Sequence, residues 1–546
     1  MSHQAPRLVL GPLLRYVDDT CATIWVETDR PCVVRVLSAS ARTWSVHGHH
    51  YALLVVDDLE PATETPYEVH LDDEQVWPEG DGPFPPSVIR TFRHDETFRL
   101  AFGSCRRSEP YDPPALRRFG ADALVAMAYR MAGTPTTRWP DALLMVGDQV
   151  YADEPSRQTA ERLKGPEVSD FEEYTWLYHD AWGVPEVRWL LSTVPTCMLL
   201  DDHDLRDDWN TSLSWREHVT SRPWWRDRVV GAFASYWVYQ HLGNLSPDDL
   251  AEDELFSAVQ GTADDDERGR LVDDFAWRSD TEPDSVRWSF FRDFGDTRLG
   301  IRLLAVDSRC SRVLDPERRA MLDDTEWRWV VDHALHPRSG QRVDHLMVAS
   351  TLPVLLLRGI HHLEGWNEAT ATRGAWGRLG HWFGEHLRQA VDLEHWAAFR
   401  DSFDRLVRLL ADLASADPPP ASVLLLSGDV HCSYTAKAHL RDVEHPATSV
   451  HQLTMSPFRN PLHLPLQLAN RAFSTRPVRS LFHRLARSAG VPDPAVDWDV
   501  DHGPWFGNGV MTVVIAGRRA WVEVEHAHVV DGRQELRPTL RLRLTA

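Results

Sequence analysis

Four short apolar runs, at 98–102, 142–146, 196–200 and 423–426, each stop abruptly at residues able to bind hard cations. FRLAF leads into Gly103, Ser104 and Cys105, and ALLMV leads into GDQVYAD at 147–153. TCMLL leads into DDHD at 201–204, and VLLL leads into SGDVH at 427–431. Continuous apolar runs of this length suit strands buried on both faces, and a fifth, LLAV at 303–306, has the same character. Stretches of helical character, such as 114–131 and 394–413, lie between them, which is the pattern of a layered α/β domain. In open α/β sheets the working residues gather just beyond the carboxyl ends of the strands. Four such endings in one chain are hard to assign to packing.

A chain of 546 residues is too long for one simple core. Residues 1–95 read as a small all-β sandwich. Residues 22–27 and 67–72 alternate with the period of half-buried strands, and turn-forming residues at 17–19, 29–31 and 78–86 separate the runs. Residues 96–546 read as the α/β domain. Two long insertions rich in Trp, Arg and Asp, at about 153–195 and 205–295, are expected as helices over one end of its sheets. DDDE at 264–267 and DPPP at 417–420 read as solvated loops, and no internal repeat is present.

The net charge of −23 argues against nucleic acid as a partner. Six thinly spread cysteines without a CxxC pair read as reduced thiols. With neither a signal-like leader nor an apolar run long enough to span a bilayer, the expected location is the cytoplasm. The stretch 461–489 sets Arg471, Arg476, Arg479, Arg484 and Arg487 among Leu481, Phe482 and Leu485. A basic amphipathic helix of this kind can lie on a membrane, through 471–487; the preferred reading is a helix packed beside the mouth of the site.

Each strand ending has an ordinary reading and a chemical one. A lone Gly-Asp is commonly a turn, but a loop folded over a cation would present Asp148 and Tyr151 together, with Asp153 close behind. DDHD reads as a solvated acidic loop or, because it follows an apolar run directly, as carboxylates around His203 that need compensating positive charge. Asp429 and His431 lie two apart, so on an extended segment they would share a face and serve one cluster. Cys105 alone reads as a buried thiol; after FGS at a strand end it is a candidate thiolate ligand.

Taken together, FGSC at 102–105, GDQVYAD, DDHD, VDSR at 306–309 and SGDVH resemble the motifs of the calcineurin-like metallophosphoesterases, and within them the alkaline phosphatase D (PhoD-like) family, over about 98–515. Residues 174–195 are similar to that family's helix before the third motif, and the N-terminal sandwich is similar to its usual leading domain. The resemblance implies a four-layer αββα core of two stacked mixed sheets with metals at one edge. It places iron(III) among Cys105, Asp148, Tyr151 and His431. A second cation, often calcium, would share Asp148 and use groups such as Asp202 and Asp429; zinc and manganese are alternatives. His203 matches the histidine that assists the leaving group.

The sequence departs from the wider superfamily at three places. Cys105 replaces the opening Asp-x-His motif, Asp202 stands for the Asn before the catalytic His with Asp207 and Asp208 for the following Asn pair, and no histidine adjoins Ser350 and Thr351, although His361 and His362 follow. Arg309 and Arg206 are candidate clamps on phosphoryl oxygens, and a structural salt bridge is an equal reading of Arg309. The implied activity is hydrolysis of a small-molecule or lipid phosphate ester, mono- or diester, by metal-activated hydroxide. The alternative is a non-catalytic metal-binding or interaction protein on the same scaffold.

Overall fold

A computed structural model describes residues 5–80, 82–93, 97–294, 300–336, 342–390, 393–443 and 446–545. The expected domain boundary at 95–96 and the end of the second insertion at 295 fall outside them.

The apolar runs are strands. Ala142–Val146, Thr196–Leu199, Ile301–Val306 and Ser422–Ser427 are buried at every residue, because both of their faces are covered. One mixed sheet runs Thr196–Leu199, Ala142–Val146, Phe98–Gly103, Gly509–Ala516, Arg519–Val530, Arg533–Arg543; its first three strands are parallel and the rest antiparallel. The other runs Phe290–Phe294, Ile301–Val306, His345–Ser350, Ser422–Ser427, Ser449–Thr454, Ser433–Leu440, Val496–Trp505, with four parallel strands inside it. Leu100, Phe102 and Leu144 of the first sheet share a core with Leu303, Met347 and Leu424 of the second. Ala123–Ala132 and Pro185–Thr193 cover the first sheet's outer face, and Asp324–Leu335 and Arg400–Ala414 cover the second's. The four layers are αββα. Parallel register pairs Gly103 with Met145, Val146 with Leu199 and Val306 with Ser350, so neighbouring strands release their loops at one level.

Two small four-stranded sheets form the N-terminal sandwich, around Ile24, Val34, Leu54 and Val69. Residues 67–72 alternate as expected, but Ala22–Thr28 is buried on both faces. Its second face is covered by the insertion helices: the rings of Trp25 and Tyr239 are 5.2 Å apart and those of Trp44 and Trp237 5.8 Å. In that seam Glu27 meets His49 Nδ1 at 3.0 Å and His179 Nε2 at 2.8 Å, and accepts from the Tyr239 hydroxyl at 2.9 Å.

Other differences have local causes. The 114–131 stretch is two helices, Pro113–Phe119 and Ala123–Ala132, because Asp122 caps the second by accepting from Leu124 N. The helix expected from 394 begins at Arg400, leaving Glu394 and His395 in the preceding loop. DDDE is no loop: Asp264 caps Asp265–Thr281, and the next three acids lie in the first turn, where the helix dipole favours them. The hairpin strands Arg519–Val530 and Arg533–Arg543 are not anticipated; their outward Arg, Glu and His residues mask the buried alternation. None of the six cysteines is in a disulfide. Among the described residues no helix is long and apolar enough to cross a membrane.

Candidate metal centre

The loops that leave the parallel strands turn at once. Cys105, Asp148, Asp429 and His431 all adopt positive φ (56°, 53°, 63° and 46°), a conformation that costs energy outside glycine and clusters at functional sites. Glycines let the loops approach. A Cβ on Gly147 would lie 2.5 Å from Asp201 Cβ, and one on Gly428 would lie 2.2 Å from Ser104 Oγ. Ser104 Oγ accepts from Asp429 N at 3.0 Å, and Cys105 O accepts from Arg459 N at 3.1 Å, so three chain segments are stitched together. Asp429 and His431 are therefore not neighbours on an extended strand. A tight turn, with His431 N donating to Asp429 O at 2.7 Å, separates them.

Asp148, Asp201, Asp202 and Asp429 form the centre: one carboxylate oxygen from each lies within 4.8 Å of all the others. Burial, then crowding by Asp201, Asp202 and Asp429, pushes the Asp148 carboxyl well above its ordinary value. Burial does the same to Asp201 and raises Asp202 to about 6. Asp429 is held low against its burial by His395 and Arg309. Arg309 is wholly buried beneath the cluster, with Nε donating to Asp201 at 2.5 Å, Nη2 to Asp202 at 3.0 Å and Nη1 to Glu394 at 2.5 Å. One guanidinium cannot neutralise these acids, and Asp148 Oδ1 and Asp201 Oδ2 are buried without a hydrogen-bond partner among the described residues. Both observations fit bound cations.

Of the remaining expected ligands, Cys105 and Tyr151 border Asp148, while His431 lies outside the carboxylate cluster. Cys105 Sγ is 3.3 Å and the Tyr151 hydroxyl 3.4 Å from Asp148 Oδ2, and Asn460 Nδ2 donates to the Tyr151 oxygen at 3.1 Å. His431 Nδ1 is occupied by the Asn460 carbonyl at 2.7 Å, which leaves Nε2 as the ligand atom. His203 packs against Tyr151 with the rings tilted and their centroids 4.6 Å apart, and its Nδ1 is held by Asp153 at 2.9 Å. Asp204 is a brace, accepting from Val150 N and Asp201 N. Asp207 is exposed, and Asp208 donates its N–H to Asp202 Oδ2 at 3.0 Å; neither belongs to the carboxylate cluster. Arg206 is engaged by Glu167 at 3.2 Å and lies over Trp224.

Sequence reasoning missed four of these groups. Asp201 lies inside the DDHD motif, in which Asp202 is the expected ligand. Glu394, Glu364 and His395 carry no strand-end signal. His395 Nδ1 lies 2.6 Å from Glu364 Oε1 and its Nε2 3.6 Å from Asp429 Oδ2. His361 and His362 are elsewhere, beside Trp498 and His483.

Two stacked mixed sheets carry a buried carboxylate cluster, the architecture expected of a metallophosphoesterase. The profile of the PhoD-like phosphatases matches residues 123–460, more than half of the chain, and the chain belongs to that family: it is a hydrolase of phosphoric ester bonds. Residues 5–89 match a domain of unknown function, DUF7800. A solved structure of PhoD is similar in fold at TM-score 0.57 and 9% identity, covering 100% of this chain and 92% of that one. A purple acid phosphatase from yellow lupin (Lupinus luteus) seeds gives 0.48 and 9%, covering 99% and 74%. No curated protein matches the sequence.

Proposed function

We propose that the chain hydrolyses phosphate mono- or diesters, of a small molecule or a lipid, with a cation pair held at this centre. The four carboxylates within 4.8 Å of one another carry the reading. Cys105, Tyr151 and Asp148, with His431 Nε2, would hold iron(III), which their thiol, phenol and imidazole suit. The oxygen-only side, Asp201, Asp202 and Asp429, suits calcium, with zinc or manganese as substitutes. Cations bound there would supply charge for the phosphoryl oxygens and acidify a water to the nucleophile.

The chain's own residues do the rest. His203, fixed through Nδ1 by Asp153, offers Nε2 to the departing oxygen as proton donor. Arg309 is revised from clamp to positioning residue, since its donors are spent on Asp201, Asp202 and Glu394. Arg206, about a third exposed and four residues past Asp202, retains the substrate-binding role. A non-catalytic scaffold would have lost His203 or several of the ligand residues; the sequence retains Cys105, Asp148, Tyr151, Asp202, His203, Asp429 and His431. Asp148→Asn tests the reading. Metal content and turnover of aryl phosphate mono- and diesters should fall together, and retained turnover would refute it.

A further inference from the structure

The helices Leu464–Phe473 and Arg476–Ser488 follow directly on the segment that brings Asn460 to Tyr151 and His431. The second helix is anchored. Ala486 is buried, Phe482 stacks on Phe473 at 5.1 Å, and His483 lies 4.8 Å from His362 of the Arg358–Ala371 helix. The first is not: none of its residues is buried, and Leu464, Leu466 and Leu468 are 64%, 51% and 56% exposed. Leu481 is exposed as well. Helix Gly377–Ala390, which packs against the same Arg358–Ala371 helix, exposes Trp382 and Phe383, with Trp376 just before it. Large apolar side chains left exposed on helices that pack against one common helix make a candidate docking surface.

Charge selects the partner. About one residue in seven of this chain is acidic, yet 461–492 contains no Asp or Glu and five arginines. Arg479 and Arg487 are tied to Asp499 and Asp493, and Arg471 lies over Phe506, whereas Arg476 and Arg484 are exposed. A second copy would set this basic strip against itself. An anionic lipid surface complements it: leucines and aromatics enter the headgroup boundary while guanidiniums stay with the phosphates.

We propose that this helical pair is a peripheral membrane anchor, in which Leu464 and Leu468, which share one face of the helix, enter an anionic bilayer and Arg476 and Arg484 hold its phosphates. The anchor is independent of which ester the centre cleaves.

Co-sedimentation of the full chain with vesicles of phosphatidylcholine, alone or mixed with phosphatidylglycerol, tests it. The chain should bind the anionic vesicles and bind neutral ones far more weakly. Leu464→Ser with Leu468→Ser, and separately Arg476→Glu with Arg484→Glu, should each weaken binding by about tenfold or more while turnover of a soluble aryl phosphate is unchanged. If the leucine variant loses that turnover through misfolding, the arginine variant decides. The proposal is overturned if the chain ignores both vesicle types, if the arginine variant binds as well as the parent, or if a folded leucine variant does. Concentration-dependent self-association in sedimentation velocity that the leucine variant abolishes would also overturn it, by making the face a contact between copies.

Discussion

His203 Nδ1 sits 2.9 Å from Asp153 Oδ1, which fixes the imidazole; in the proposed mechanism Nε2 is then the nitrogen that serves the leaving group. His203→Ala should lower turnover by about 10²-fold or more with metal content unchanged. Asp153→Asn should cost less, because the ring loses its orientation but keeps its chemistry. Both penalties should shrink for esters with very good leaving groups. Equal losses for all substrates, or loss of metal, would make His203 a ligand or a structural residue.

Gly147 offers a sharper structural test. Gly147 and Gly490 both have positive φ (87° and 82°), but only at Gly147 would a Cβ meet Asp201, while at Gly490 nothing lies within 4 Å. Alanine at either position should cost about 1–2 kcal/mol in stability through the backbone. Gly147→Ala alone should also collapse turnover, by displacing Asp201. Equal activity in both variants would show that the contact does not govern the centre.

The seam between the sandwich and the insertion helices should be pH-sensitive. Burial opposes ionisation of Glu27, but hydrogen bonds with His179 and His49 hold it below its ordinary 4.5. Burial likewise opposes charge on His49, and Glu27 and Glu172 raise it above 6.5. The histidine's contribution is complete below 6.5 and is lost as pH rises through its raised value. That of Glu27 is complete above 4.5 and is lost as pH falls through its lowered value. Between those limits Glu27→Gln should destabilise by about 2–4 kcal/mol, and the difference in denaturant unfolding should narrow at alkaline pH. A pH-independent difference would contradict this origin.

As a proposed ligand, Tyr151 would report which metal is bound. Burial, and then Cys105 and Asp148, raise its hydroxyl well above 10, so only a strongly acidic cation would hold it as phenolate. Iron-loaded protein should absorb in the visible, and Tyr151→Phe should bleach the band. Stoichiometric iron without a band would remove Tyr151 as a ligand and favour divalent ions.

Much of the centre was legible because strands declare themselves. Asp148, Asp202 and Asp429 each close an apolar run, and the parallel register then brings those ends together. His395 and Glu394 precede a helix by a few residues, and Glu364 lies within one, so only the tertiary fold gives them meaning. The Asp429–His431 spacing misled because nothing in the residue types announces that non-glycine residues take positive φ. Ala22–Thr28 misled for a related reason: alternation records one buried face, and the second is covered by a segment some two hundred residues away.

The most direct test joins elemental analysis to turnover. Chelation should strip the cations from Asp148, Asp201, Asp202 and Asp429 and abolish hydrolysis of an aryl phosphate, and adding back iron with calcium, or another divalent ion, should restore it. Undiminished hydrolysis by protein shown to be metal-free would contradict a metal-dependent centre.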